Sequence, residues 1–316
     1  MNSIIDIHTH YTTPYYVDSL ASHGRMKEDG FPMPEWSPEA HLSFMDCVGI
    51  EKSILTISSP HQYSGDIAEC RDLTKRLNND GAELKQKYPT RFGFMAVLPL
   101  PDIEASVETV KEAFDELGAD GIKFPTNALG LYMGDPSMKP IFEELNKRNA
   151  VVTMHPCRPQ PINDNVFSAG PIPFYEFLAD TTRAVLNLIG NGFLEKYPNV
   201  KIIVPHCGSF IPTIYPRWIS LVPALVEKGA MEPIDMKGNF DKLYYDIAGN
   251  PAELLPSLMA ITTPDKIMYG SDFPFTPGKG CKVRLEQLLE ALDKNDTLSP
   301  YKEDFLYGNA KKLFNL

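Results

Sequence analysis

The sequence predicts an α/β chain folded as a (β/α)8 TIM barrel, and three observations lead there. Its 316 residues suit one such barrel, which takes about 250 residues before insertions. Short apolar or β-branched runs alternate with longer helical stretches, as crossover connections to a parallel sheet require. The runs number eight, the count that closes a barrel. Residues 1–316 are therefore expected to form one domain, with a short insertion at 11–36 after the first strand.

The first run spans Ser3 to Ile7 and ends in His8-Thr9-His10. The next two are Lys52 to Ile57 and Phe92 to Leu98. Gly121 to Phe124 and Ala150 to Met154 supply the fourth and fifth. Val200 to Val204, Leu243 to Asp246 and Lys266 to Tyr269 complete the set. Among the helices, Ser37-Pro38-Glu39 opens one with a capping serine and a first-turn proline. Leu42, Met45 and Val48 continue it at helical spacing. Asp102 to Leu117 carries an apolar face through Val107, Val110, Ala113 and Phe114, and Gly118 is placed to stop it. Asp66–Tyr88, Met138–Arg148, Phe174–Leu188 and Val283–Leu292 read as further helices. Residues 11–36 are rich in Tyr, Pro and Gly, and residues 156–172 carry several prolines. Both follow strands, so both belong on the catalytic face, as lid or pocket wall.

Composition narrows the function. Hydrophobic residues make up 43% and charged residues 22%, enough for a sizeable core. A net charge of −11 disfavours nucleic acid and anionic lipid as partners. Five cysteines with no Cys-x-x-Cys pair suit free thiols in a reducing cytoplasm better than a disulfide framework. No signal peptide is legible, and no run reaches the roughly 20 apolar residues of a membrane helix.

Chemistry concentrates at strand ends. Residues i and i+2 of a strand share a side, so His8 and His10 can converge on one ion. His155 closes the fifth run, His206 closes the sixth, and Asp272 follows the eighth in Tyr269-Gly270-Ser271-Asp272. Barrel enzymes place their reacting groups on this face. Imidazoles with a carboxylate suit one divalent ion, zinc first and manganese or iron by the same donors. His61 follows the second strand and is placed to touch substrate, and Arg158 is placed to pair with a carboxylate. Phe174, Phe210, Trp218, Phe273 and Phe275 are candidate walls for an aromatic ring. His23 and His41 read as ordinary surface residues.

These motifs resemble the amidohydrolase superfamily. The resemblance rests on Ile5-Asp6-Ile7-His8-Thr9-His10, His155-Pro156, His206-Cys207-Gly208 and Tyr269 to Pro274. It extends to Trp36 through Asp46 and the closing Gly308 to Phe314. Within that superfamily it points to the decarboxylase branch typified by aminocarboxymuconate-semialdehyde and 6-methylsalicylate decarboxylases. The resemblance implies His8, His10, His155 and Asp272 as metal ligands and His206 as the catalytic histidine. It implies that Arg217, eleven residues after His206, binds a substrate carboxylate in a neighbouring subunit's pocket, which makes the protein a homodimer. Cys207 departs from the family's glycine pair and is placed to narrow the pocket. Lys123, on the fourth strand, matches the position where binuclear members carry a bridging carboxylated lysine; a pocket cation or a barrel-end salt bridge is the favoured reading.

The expected activity is non-oxidative decarboxylation of a small hydroxyaromatic or muconate-type acid, with Asp272 passing a proton as well as ligating. Hydrolysis of a lactone, amide or ester, or hydration of an unsaturated acid, is the alternative on the same site.

Overall fold

Eight parallel strands hydrogen-bond in chain order in the computed structural model, which describes residues 3–163, 165 and 170–316. They are β1 (Ile4–His10), β2 (Ile50–Thr56), β3 (Phe92–Val97), β4 (Gly121–Pro125), β5 (Val151–His155), β6 (Lys201–Val204), β7 (Tyr244–Asp246) and β8 (Ile267–Met268). The chain after β8 closes the ring against β1. Ile7 N donates to Tyr269 O at 3.1 Å, Asp272 N to His8 O at 2.8 Å, and His10 N to Phe273 O at 2.8 Å. Asp272 is thereby laid alongside His8 and His10 by backbone pairing.

A bulge in β1 decides which side chains face the site. Asp6 pairs with Ser53 and Thr9 with Leu55, so three steps on β1 match two on β2. Ile5 and Ile7 pack with Ile54, Met95, Val151, Ile203 and Met268. Residues from six strands can meet this way only inside the barrel. His8 and His10 have the opposite parity, and a regular strand would point them outward. The extra residue re-aims them, a common use of bulges near active sites. At the other end of the barrel Ala310, Leu313 and Phe314 of helix Asn309–Phe314 join the same apolar cluster.

The outer helices follow their sequence signals. Asp66 caps helix Ile67–Lys87 by accepting from Ala68 N and Glu69 N. Ser37 caps Pro38–Val48, which Gly49 ends in the left-handed region at φ 81°. Asp102 caps Ile103–Asp115. Other elements depart from expectation. The 11–36 insertion contains helix Pro14–Ser22. The segment read as starting at Val283 is helical from Gly278 to Asp293. Among the helices that escaped the sequence reading, Ile211–Glu227 and Pro251–Met259 were hidden because Pro216, Pro223 and Pro256 lie inside them. After β4 a two-stranded hairpin joins Asn127–Ala128 to Leu131–Tyr132. Of the expected 156–172 wall, residues 164 and 166–169 lie outside the described residues, as do Met1 and Asn2. No described helix is long and apolar enough to cross a membrane.

Gly270 shows how tightly the closing segment meets β1. A Cβ added there would lie 2.6 Å from the His8 Cβ. Gly270→Ala is expected to destabilise the fold by about 1–3 kcal/mol through overpacking, measured by denaturant unfolding.

Candidate metal centre

His8, His10, His155 and Asp272 each offer a donor atom, and these atoms all lie within 4.8 Å of one another. The three imidazoles are buried, while Asp272 is partly open to the cavity. Their rings meet edge to face, with centroids 4.9 Å apart for His8 and His10 and 4.8 Å for His10 and His155.

Hydrogen bonds on the far side of each ring settle where the lone pairs point. His8 Nδ1 stands 2.8 Å from Asp246 Oδ2, so Nδ1 carries the proton. Thr56 Oγ1 gives its single proton to Thr9 O at 3.1 Å. Toward His10 Nδ1, 2.8 Å away, that hydroxyl can only accept. His155 Nδ1 donates to Pro156 O at 2.9 Å. All three rings therefore present Nε2 to the centre. His8 Nε2 is buried without a hydrogen-bond partner. His10 Nε2 lies 3.2 Å from Asp272 Oδ1, and His8 Nε2 lies 3.6 Å from the same oxygen. With the rings neutral, lone pairs face one another at these separations. A cation between them turns that repulsion into coordination, and the donor set fits one divalent metal ion.

The charges fit this reading. Burial lowers His10 to about 4, against the hydrogen bond to Asp272. Burial also drives His155 well below its ordinary value, with the neighbouring His10 and His8 adding to it. For His8 burial works the same way, but the Asp246 carboxylate outweighs it and lifts the ring to about 9. Burial opposes ionisation of Asp272, yet the His10 hydrogen bond and the nearby imidazoles hold it down at about 2. In the absence of a metal, the carboxylates thus hold a proton on the histidine cluster, which a metal would displace.

The backbone is unusual at two of these residues. Asp272 has φ 63° and His206 φ 57°, in the left-handed region that side chains other than glycine seldom adopt. Asp6 steadies the first, its Oδ1 accepting from Ser271 N at 3.0 Å and His8 N at 3.2 Å. Asp246 steadies the second, its Oδ1 accepting from His206 N at 3.0 Å and Ala248 N at 3.1 Å.

A cavity of about 340 Å³ opens beside the cluster. His155, His206 and Asp272 line it. Phe31, Phe177 and Phe275 wall it, and Arg284 supplies a cation, its Nη1 donating to Thr276 Oγ1 at 2.9 Å. His206 sits with its ring centroid 4.9 Å from that of His8 and its Nδ1 unpartnered.

Several expected contacts are placed elsewhere. His61 is buried outside the cavity wall, its Nδ1 accepting from Tyr63 N at 2.9 Å. Arg158 is also outside the wall, with Nη1 3.4 Å from Glu28 O. Arg217 is exposed on helix Ile211–Glu227 and does not line the cavity of its own chain. Lys123 is buried in β4, donates to Ser58 O at 3.2 Å and is near enough to His10 and His155 for its charge to help lower both imidazoles. Of the five aromatic candidates only Phe275 lines the cavity. Phe273 stacks on Phe44 and Trp218 on Phe240, away from it, while Phe174 is exposed. His23 is a surface residue paired with Glu69 at 2.7 Å. His41 is not: it is fully buried, accepts from Trp36 Nε1 at 3.0 Å and contacts Ser53 Oγ at 3.2 Å. Burial lowers it to about 3, so it packs as a neutral ring. Sequence reasoning missed Asp246, whose place at the end of β7 obeys the same strand-end rule. It also missed Asp29, Phe31 and Arg284, for which no sequence signal stood out.

Comparison with known proteins agrees with this architecture. Residues 5–316 match the family model described as Amidohydrolase, and the chain belongs to that family. It is 34% identical to the decarboxylase macB of Penicillium terrestre over 98% of this chain and 94% of that protein. It is 28% identical to the 6-methylsalicylic acid decarboxylase of Penicillium expansum over 92% and 90% of the two chains. The crystal structure of an amidohydrolase II superposes with a TM-score of 0.91 at 38% identity, covering 99% of this chain and all of the other.

Asp246 offers a direct test of the lone-pair arrangement. Both its oxygens accept from N–H groups, so an amide must turn its NH2 against one of them. Asp246→Asn is expected to lower metal affinity by about 10–100-fold, measured by competition with a chromogenic chelator.

Proposed function

We propose that the protein is a metal-dependent, non-oxidative decarboxylase of a small hydroxyaromatic carboxylic acid. The observation that carries this is the donor set itself: three inward-facing Nε2 atoms and a carboxylate at the edge of an aromatic-walled cavity. The named relatives are decarboxylases, one of them acting on 6-methylsalicylic acid. His8, His10, His155 and Asp272 would hold the ion, zinc by donor type, with manganese accepting the same donors. Bound there, the ion supplies Lewis-acid polarisation and a template for substrate oxygens.

The chain's own groups cover the remaining requirements. Breaking the ring–carboxylate bond leaves an electron pair on the ring carbon, and a proton must replace the departing carbon dioxide. His206 and Asp272 both line the cavity and are the groups placed to deliver it. Arg284 gives the substrate carboxylate a cationic partner. Phe31, Phe177 and Phe275 exclude water and favour a flat ring.

A homodimer is part of the proposal. Arg217 is exposed outside its own cavity, and Leu221 and Leu225 on the same helix are 42% and 39% exposed. That face suits a seam through which Arg217 enters a second copy's pocket. The five cysteines are all free thiols, in keeping with a reducing cytoplasm.

Release of carbon dioxide from ortho-hydroxybenzoates by metal-loaded protein tests the reading. An acid product formed without carbon dioxide would replace it with hydrolysis or hydration. His10→Ala and Asp272→Ala are each expected to abolish turnover and lower metal content by elemental analysis; normal turnover in both would remove the ligand assignment. Arg284→Ala is expected to raise KM by about tenfold or more with metal retained. Arg217→Ala should do the same if it acts across the dimer, and mixing it with His10→Ala subunits should then restore sites made from both.

A further inference from the structure

One buried acid in the cavity has no task in the decarboxylation chemistry. Asp29 lies in the 11–36 insertion, is 3% exposed and lines the same cavity as His155 and Asp272. Its Oδ1 is buried without a hydrogen-bond partner, and it belongs to no metal-ligating group among the described residues. Ser59 stands beside it, also lines the cavity and is 1% exposed, and its hydroxyl has no partner other than the Asp29 carboxyl. Buried polar groups are almost always satisfied, and leaving two adjacent ones with only each other for a partner leaves acceptor capacity unused at the cavity wall. Such a pair is what a site for a polar ligand group looks like before the ligand arrives.

The backbone holds Asp29 in place. Its carbonyl accepts from Ile172 N at 2.9 Å. Gly30, at φ 88°, lies so close to Pro171 that an added Cβ would be 2.7 Å from its Cα. The insertion and the segment before helix Glu176–Gly190 are thus clamped together at the cavity, and the carboxyl is presented from a fixed frame.

Resting on the decarboxylase reading, we propose that Asp29, with Ser59, selects a second ring hydroxyl on the aromatic acid. A phenolic hydroxyl can donate to the carboxylate and accept from the serine, using the capacity that the pair leaves open. A second carboxylate would meet like charge there, and a methyl group would offer neither polar atom a partner. Burial raises Asp29 to about 6, opposed by the Ser59 hydroxyl and by Arg25 and Arg158. A hydroxyl partner suits the acid in either protonation state, since it both donates and accepts.

The test compares metal-loaded wild type with Asp29→Ala and Asp29→Asn. Binding by calorimetry and carbon dioxide release are measured for salicylate and for the isomeric dihydroxybenzoates. Wild type is expected to bind one dihydroxy isomer more tightly than salicylate. Asp29→Ala should weaken that isomer by about tenfold or more while changing salicylate less than about twofold. Asp29→Asn should keep part of the preference, and metal content should stay unchanged in both. Equal weakening of both ligands, or a wild type with no preference for any dihydroxy isomer, overturns the proposal. Selective binding without carbon dioxide release would uphold Asp29 and instead contradict the decarboxylase reading.

Discussion

The structure depends on one constraint: unprotonated nitrogen and carboxylate oxygen must share a space too small for them to coexist uncompensated. His10 Nε2 and Asp272 Oδ1 are 3.2 Å apart, and each neighbouring imidazole is fixed by a partner behind it. Among the described residues His8 Nε2 has no hydrogen-bond partner. A proton can fill this gap singly, and a divalent cation can satisfy all four donors together. The tautomers are set by Asp246, Thr56 and the Pro156 carbonyl, so the lone pairs offered to a cation depend on the residues behind the rings as much as on the rings themselves.

The barrel makes this arrangement affordable in stability terms. Its closing hydrogen bonds run from β1 to the segment after β8, and they place Asp272 against the two histidines through backbone groups alone. The bulge between Asp6 and Thr9 lets one strand fill the barrel interior with Ile5 and Ile7 and still turn His8 and His10 toward the site. Left-handed backbone at Asp272 and His206 is held by Asp6 and Asp246, two buried carboxylates that accept backbone N–H groups. Rigidity at the reacting centre therefore comes from the sheet, while the insertion and the helix-bearing loops shape the cavity.

Legibility in the sequence followed physical locality. Strand ends were readable because apolar runs stop where a histidine or aspartate begins, and the four side chains that converge here all stand at such ends. Asp246 satisfies the same rule, but a lone aspartate closing Tyr244-Tyr245 looks like any turn residue until its oxygens are seen facing His8 and His206. Helix Ile211–Glu227 was hidden by prolines that its exposed face tolerates. His41 read as surface because its burial depends on Trp36 folding back over it, a contact outside the helical pattern. The wall residues Asp29, Phe31 and Arg284 were least legible. Their role arises from how the 11–36 insertion and helix Gly278–Asp293 fold across the barrel mouth, and no local period encodes that.

The central claim is one cation at one place, and anomalous diffraction at the metal's absorption edge from crystals of the protein as isolated tests it most directly. A single peak bonded to the Nε2 atoms of His8, His10 and His155 and to the Asp272 carboxylate is the predicted result. A peak held by other residues, a second peak bridged by Lys123, or ordered water alone among those donors would contradict it.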